Sequence, residues 1–403
     1  MKFITRILAV GGLALAAGTG AASDQEKLVA ANTAFAFDLT RQVAQAAPDA
    51  NLFLSPYSVS SALQMVANGA AGQTRAEMQK ALKTDGLPAG SLNAAFRDLN
   101  RQFAGRAAVT LDLANALWFQ QDRGLSLQPA FVDDNRKFFQ AEVSGVDFGI
   151  SETAETINAW ADKQTHGKIT QIVRFPFPDR TRLILANAIY FKGKWVTPFK
   201  PRATRPREFY LPGGQTKQTP MMAQDGRFAY QENDGFQAVK LPYQGGLQME
   251  LYLPRTNASP VKLLADLSSR DKGLEGRSQA FVQREGTVVL PKFKTESTLR
   301  LNQPLQALGI RDAFTDDADF SGITTDEKLL ISTVLQKTFV KVDEQGTEAA
   351  AVTTITMVGS ALMRPPDNRF TMVLDHPFLF MISDADTGSI LFLGMMNDPE
   401  AGD

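Results

Sequence analysis

The sequence predicts an α+β fold, and three observations carry that reading. Apolar residues at helical spacing dominate the early part of the chain, as far as Gly167. From Arg182 the runs turn apolar on both parities, as in LILANAIYF, the texture of a strand covered on both faces. The two textures follow one another instead of alternating, which argues against a regular βαβ repeat. A length of 403 residues exceeds the usual size of one domain, yet no linker, repeat or low-complexity tract divides the chain. With 44% hydrophobic residues and 27 Phe there is material for a large core, so residues 23–403 read as a single domain.

The first element is a targeting segment. Lys2 and Arg6 precede an apolar run from Ile7 to Ala17, and Gly18-Thr19-Gly20-Ala21-Ala22-Ser23 follows. Charged, apolar, then small is the order of a secretory signal, and the run is too short to span a bilayer. Cleavage is expected near Ala22, which makes residues 1–22 a signal peptide and the mature chain secreted or periplasmic. The source reads as bacterial.

Leu28, Phe35, Leu39 and Val43 then set out an amphipathic helix over roughly Gln25 to Ala46. Ser55 followed by Pro56 starts the next, a hydroxyl cap before a proline whose missing N–H costs nothing there. That helix runs through Leu63, Met65 and Val66 to Gly69, and another covers about Arg75 to Leu82. Ser151 opens a further helix with Ile157, Trp160 and Ala161 on one side, ending at Gly167. In the second half, LILANAIYF and LLISTVLQKTFVKV both read as strands buried on two faces. Gly213-Gly214, Gly245-Gly246 and Pro254 punctuate several short strands between them.

Composition narrows the function. Lys+Arg 42 against Asp+Glu 43 leaves a net charge of −1, so no bulk field draws the chain to nucleic acid or an anionic membrane. The densest basic stretch, Lys200, Arg202, Arg205 and Arg207, is interleaved with prolines and reads as a solvated loop. The absence of cysteine rules out disulfides, a lipid-anchor cysteine and a thiolate nucleophile. Only His166 and His376 are available to a Ser-His-Asp triad, and both read as structural. Two histidines without cysteine do not make a zinc site, and no GxxxxGK[ST] or helix-opening GxGxxG occurs. Asp316-Asp317 reads as a solvated turn. The chain is therefore not expected to be an enzyme, nor to carry a cofactor or metal.

One segment combines loop and strand chemistry. In VDEQGTEAAAVTTITM, residues 342–357, an acidic pair (Asp343, Glu344) precedes Gly346, and small and β-branched residues run on without proline. Strand side chains alternate between faces. One face then holds Thr347, Ala349, Ala351, Thr353, Ile355 and Met357, uncharged throughout. The other holds Glu348, Ala350, Val352, Thr354 and Thr356. The first face can enter a sheet without burying a charge, which would cost several kcal/mol. Yet Gly359, Ser360, Ala361 and then Arg364-Pro365-Pro366 suit exposure. A segment fit for both states reads as a switch.

That run resembles the hinge of the serpins, protease inhibitors whose reactive loop enters their own central sheet, a behaviour already established for that family. Further blocks resemble the family in order: NLFLSPYS (51–58), INAWADKQTHGKI (157–169), ANAIYFKGKWVTPF (186–199), LPKFK (290–294), LGIRDAFTDDADFSGI (308–323) and DHPFLFMI (375–382). The resemblance implies a mainly antiparallel central sheet with packed helices and an exposed reactive loop at about residues 343–366. It implies a monomeric suicide substrate for a serine protease, with a non-inhibitory carrier or chaperone as the alternative. Its hinge would comprise Glu344, Gly346, Thr347, Glu348, Ala349, Ala350 and Ala351, with Thr347 the first residue to turn inward. Non-inhibitory relatives often carry charged or bulky residues or prolines near the hinge, whereas this chain reads Gly346-Thr347-Glu348-Ala349-Ala350-Ala351.

Inhibitory members place the acyl-side residue fourteen positions beyond the hinge glycine, which points to Ser360-Ala361. A small residue there suits an elastase-like or subtilisin-like target. The stretch up to DHPF is longer than in many members. Leu362 or Met363, for a chymotrypsin-like enzyme, therefore stay open, as does Arg364 for a trypsin-like one, although Pro365 hinders the last. The family's gate would use Ser55, Ser58 and Asn187, with Trp195 near the point of loop entry. Where many members have a histidine on the strand leading to the hinge, this chain has Gln336. Its amide donates and accepts as a neutral imidazole does, without the pH response.

Overall fold

A computed structural model describes residues 22–121, 126–255, 259–269, 280–347 and 368–401. The chain opens with α1 (Asp24–Ala46), whose start is closed by a reciprocal capping box between Ser23 and Glu26. Then come β1 (Leu52–Leu54), α2 (Pro56–Ala67), α3 (Gly72–Ala81) and α4 (Ala89–Ala104). β2 (Val109–Gln120), α5 (Pro129–Phe139), β3 (Glu142–Val146), α6 (Ser151–Gln164) and β4 (Leu183–Lys194) complete the first half. The second half runs β5 (Arg205–Tyr210), β6 (Thr216–Glu232), β7 (Phe236–Pro242), β8 (Leu247–Pro254), α7 (Pro260–Ser269), β9 (Val282–Pro291), β10 (Phe293–Arg300) and α8 (Asn302–Ala307). It closes with β11 (Thr333–Asp343), β12 (Gly346–Thr347), β13 (Phe370–Val373), β14 (Phe378–Asp384) and β15 (Ile390–Met396).

The strands form two sheets. The central sheet has the order β10-β11-β12-β4-β2-β3. The other runs β1-β15-β14-β8-β7-β6-β9-β13, with β5 paired to the long β6. Between them lies an aromatic core in which Phe53 stacks on Phe392 and Phe380 at 5.0 and 5.6 Å, and Phe293 meets Phe380. α2 sits in this interior with every residue buried, its start capped by the Ser55 side chain, which accepts the Ser58 N–H. α6 lies on the opposite, outer face of the central sheet. There Ala154, Ile157 and Ala161 share a core with Ala116, Ala186, Ala188 and Leu335. Alanines at those strand positions let the helix approach the sheet closely.

The α+β class holds, but its halves are less segregated than the texture suggests. Strands β1, β2 and β3 precede Gly167, while α7 and α8 follow Arg182. β2 hides because Asp112 and Asn115 interrupt its apolar run. LILANAIYF is buried on both faces. LLISTVLQKTFVKV is not: Leu329 to Ser332 precede β11, and from Lys337 onward buried and half-buried residues alternate. α6 covers the lower part of the sheet through Leu335, while Lys337, Phe339 and Lys341 keep partial access to solvent. α6 opens at Ser151 as expected, with Ile150 at the cap position and no side-chain cap bond, and ends at Gln164, short of Gly167.

Candidate functional site: the mouth and gate of the central sheet

β11 ends at Asp343, the chain turns through Glu344 and Gln345, and Gly346-Thr347 returns antiparallel as β12. On one side Val342 faces Thr347; on the other, Thr347 faces Gly193 and Gly346 faces Lys194. Immediately below, β11 and β4 pair directly with each other in parallel, from Thr333 opposite Ile184 to Thr338 opposite Ile189. The two residues of β12 thus form a wedge at the mouth of a closed seam.

Gly346 is required there. Its φ is 153°, and a Cβ would fall 2.1 Å from the Gly193 carbonyl oxygen and 2.8 Å from the Lys194 Cα. Thr347 is fully buried, and its hydroxyl lies 2.6 Å from the phenol of Tyr243. Tyr243 stacks on Trp195 with ring centroids 4.3 Å apart, and burial pushes its phenol well above the ordinary tyrosine range.

The turn above the wedge is held by backbone carbonyls. The Trp195 indole N–H donates to the Asp343 carbonyl at 3.0 Å, Phe199 N–H to Glu344 and Trp195 N–H to Gln345, each at 2.9 Å. The Glu344 carboxylate accepts from the Thr204 hydroxyl at 2.8 Å and pairs with Lys292 Nζ at 3.0 Å. Burial alone would raise the Glu344 pKa, but the Lys292 and Thr204 contacts outweigh it and hold the group below its usual value. For neighbouring Asp343 burial wins and the pKa is raised, despite N–H groups from Gln345 and Gly346.

Under the seam, polar groups form one buried network. Gln336 exchanges two hydrogen bonds with the Ser55 backbone: Ser55 N–H donates to its Oε1 at 2.9 Å, and its Nε2 donates to the Ser55 carbonyl at 3.0 Å. The same Nε2 donates to Asn187 Oδ1 at 2.7 Å. Asn187 Nδ2 donates in turn to the Ser58 hydroxyl and, at 2.7 Å, to Asn115 Oδ1. The Ser55 hydroxyl donates to the Leu391 carbonyl at 2.6 Å, tying the gate to the second sheet. Gln336, Asn187 and Asn115 stand opposite one another on three adjacent strands, so their amides form a row beneath the seam. Each buried side chain of this network finds a partner.

The structure therefore brings together Ser55, Ser58, Asn187 and Gln336 at the gate, and Trp195, Glu344, Gly346 and Thr347 at the mouth. Glu348, Ala349, Ala350, Ala351, Ser360, Ala361, Leu362, Met363 and Arg364 lie outside the described residues. Sequence reasoning missed Tyr243, Thr204, Lys292 and Asn115. Asn115, an amide inside an apolar run, was a usable signal; Tyr243 and Thr204 carried none. His166 pairs with Asp112 at 2.7 Å. His376 bonds Asp375 and the Pro254 carbonyl; burial works against its charge, but those two acceptors raise its pKa. Lys200, Arg202, Arg205 and Arg207 are exposed as expected, but Arg205 and Arg207 belong to strand β5, paired with β6, and not to a loop. Among the described residues no group of three or more His, Asp or Glu is placed to hold a metal, and no helix is long and apolar enough to cross a membrane.

A family model described as "Serpin (serine protease inhibitor)" matches residues 30–399. The chain is 38% identical to bovine leukocyte elastase inhibitor over 385 residues, covering 93% of this chain and 100% of that protein. It is also 38% identical to a serpin-like protein of Thermococcus kodakarensis over 394 residues, covering 94% and 87%. Among solved structures, human thyroxine-binding globulin superposes with a TM-score of 0.84 at 28% identity, covering 94% of this chain and 100% of that one. The native state of the thermophilic serpin tengpin gives 0.84 at 29% identity, covering 93% and 94%.

Proposed function

The chain belongs to the serpin family of serine protease inhibitors, and from that premise we propose that it is a secreted, bacterial suicide-substrate inhibitor of a serine endopeptidase. The observation that carries this reading is the Gly346-Thr347 wedge, uncharged and buried at the mouth of a seam between two parallel-paired strands. The target protease attacks the loop at Ser360-Ala361, and an acyl-enzyme forms. The severed loop then enters the sheet from Thr347 downward, displacing first the Thr338–Ile189 pairing and next the Gln336–Asn187 bond. The tethered protease is carried along, its catalytic groups lose alignment, and deacylation stalls. The inhibitor is consumed, acts as a monomer, and is not itself an enzyme. Elastase-like and subtilisin-like enzymes suit the small Ser360, and chymotrypsin-like ones come next, at Leu362 or Met363. The likeness to elastase inhibitors supports the first preference.

A second reading, a carrier without inhibitory action, draws on the likeness to thyroxine-binding globulin. Mixing the protein with one protease of each specificity, followed by denaturing gels and mass analysis of the released peptide, separates the two. The inhibitor gives a covalent band that survives denaturant, and the peptide's first residue identifies the bond. Clean loop cleavage by every protease, with no adduct, overturns the inhibitor reading.

A further inference from the structure

The lower part of the central sheet carries a cleft that this mechanism does not use. It measures about 590 Å³ and lies where residues 171–181, following α6, run beside the outer face of β4, β11 and β10. Ile184 on β4 and Leu335 on β11, 2% and 8% exposed, belong to its apolar lining, together with Phe177. Three cations from three separate segments line it: Arg174, Arg300 on β10 and Lys337 on β11. No carboxylate side chain is among the lining residues. Lys337 is already engaged, by Glu296 at 2.6 Å and by the Gln171 carbonyl at 3.0 Å. Arg174 Nε donates to the Gln171 side chain at 3.2 Å, and among the described residues neither Arg174 nor Arg300 has an ion-pair partner. Arg174 and Arg300, both solvent-exposed, thus line the cleft beside its apolar residues without an ion-pair partner among the described residues.

We propose that this cleft binds an amphipathic monoanion, a carboxylate on an unbranched apolar chain. The guanidinium fork matches a carboxylate's two oxygens, which an ammonium does not do as well. The chain would lie along Ile184, Leu335 and Phe177 and leave water there. Ile184 and Leu335 belong to the two strands of the seam, so an occupant bridging them ties the seam shut. That consequence rests on the sheet expansion proposed above; the binding does not.

Titration calorimetry of the mature chain with decanoate, below its micellar concentration, tests the site, with decanol as the uncharged counterpart. Decanoate is expected to bind at one site, with decanol at least tenfold weaker. The Arg174→Gln, Arg300→Gln double variant is expected to lose at least tenfold in decanoate affinity while its ligand-free thermal midpoint stays unchanged. Equal binding of the two probes, no binding of decanoate, or full decanoate affinity in the double variant overturns the proposal. If the double variant does not fold, the comparison of decanoate with decanol on the unaltered chain decides alone. Saturating decanoate is also expected to slow covalent trapping of protease at least fivefold. Binding with unchanged trapping refutes the lock. A chain that traps nothing even without decanoate refutes the inhibitor reading, and the calorimetry still decides the cleft.

Discussion

Gln336 and Asn187 face each other across the seam of two parallel strands, joined by a 2.7 Å bond between their side-chain amides. Gln336 also satisfies both backbone groups of Ser55, so it serves three buried partners at once. Any widening of the seam has to exchange these bonds. The site is chemically neutral, since neither amide titrates.

Gln336→Ala should therefore lower stability. Leaving buried donors and acceptors without partners costs roughly 1–3 kcal/mol. The urea midpoint should fall with an unchanged slope; an unchanged midpoint would mean the network is replaceable. Gln336→His should preserve the fold but add a pH dependence to unfolding between about pH 5 and 8, absent from the Gln336→Ala variant.

Thr347→Arg places a guanidinium where a fully buried hydroxyl meets Tyr243. Burying that charge costs several kcal/mol, so the wedge should withdraw and early insertion should slow. The variant should behave as a substrate, with the moles consumed per mole of protease trapped rising at least tenfold. An unchanged stoichiometry would contradict the role given to Thr347.

Glu344 gives a signed pH prediction. Its folded pKa lies below the ordinary 4.5, so its contribution is present above that value and disappears as pH falls through the lower folded one. The pair with Lys292 is partly solvated, which keeps this contribution below about 1 kcal/mol. Asp343 acts in the opposite sense: burial raises its pKa, and acid relieves its cost. Glu344→Gln should melt below the unaltered protein at pH 7, and the gap should narrow as pH falls below 4.5. A gap of the same size across the whole acid range would assign the effect to packing instead of charge.

Cutting the reactive loop should stabilise the protein. An inserted strand gains ladder bonds on both edges, each worth roughly 1 kcal/mol, enough to raise the melting midpoint by about 10 °C or more. Nicked and intact chains would be compared in one thermal melt. Coincident curves would show that no strain is stored.

Much of the architecture was legible because covered strands and capped helices write plain patterns. LILANAIYF is solid with apolar residues because both faces of β4 are covered, and Ser55-Pro56 announces α2 directly. α4 was not legible: it begins after Pro88 with no side-chain cap. The gate was half visible, since Ser55, Ser58, Asn187 and Gln336 are polar residues in apolar surroundings. The mouth depends on contacts between segments distant in sequence. Tyr243 reaches Thr347, and Lys292 reaches Glu344, only once the second sheet has folded against the first. No local pattern encodes such a meeting.

The placement of α6 carries a mechanical consequence. Its apolar side rests on alanines of β2 and β4 but reaches past the seam only to Leu335. A new strand between β4 and β11 would move those neighbours apart by about 4.8 Å. The helix cannot follow both halves, and its broader footing lies with β4. It should ride with that half and shed Leu335, so the part of the molecule that yields is already chosen by where the methyl groups are.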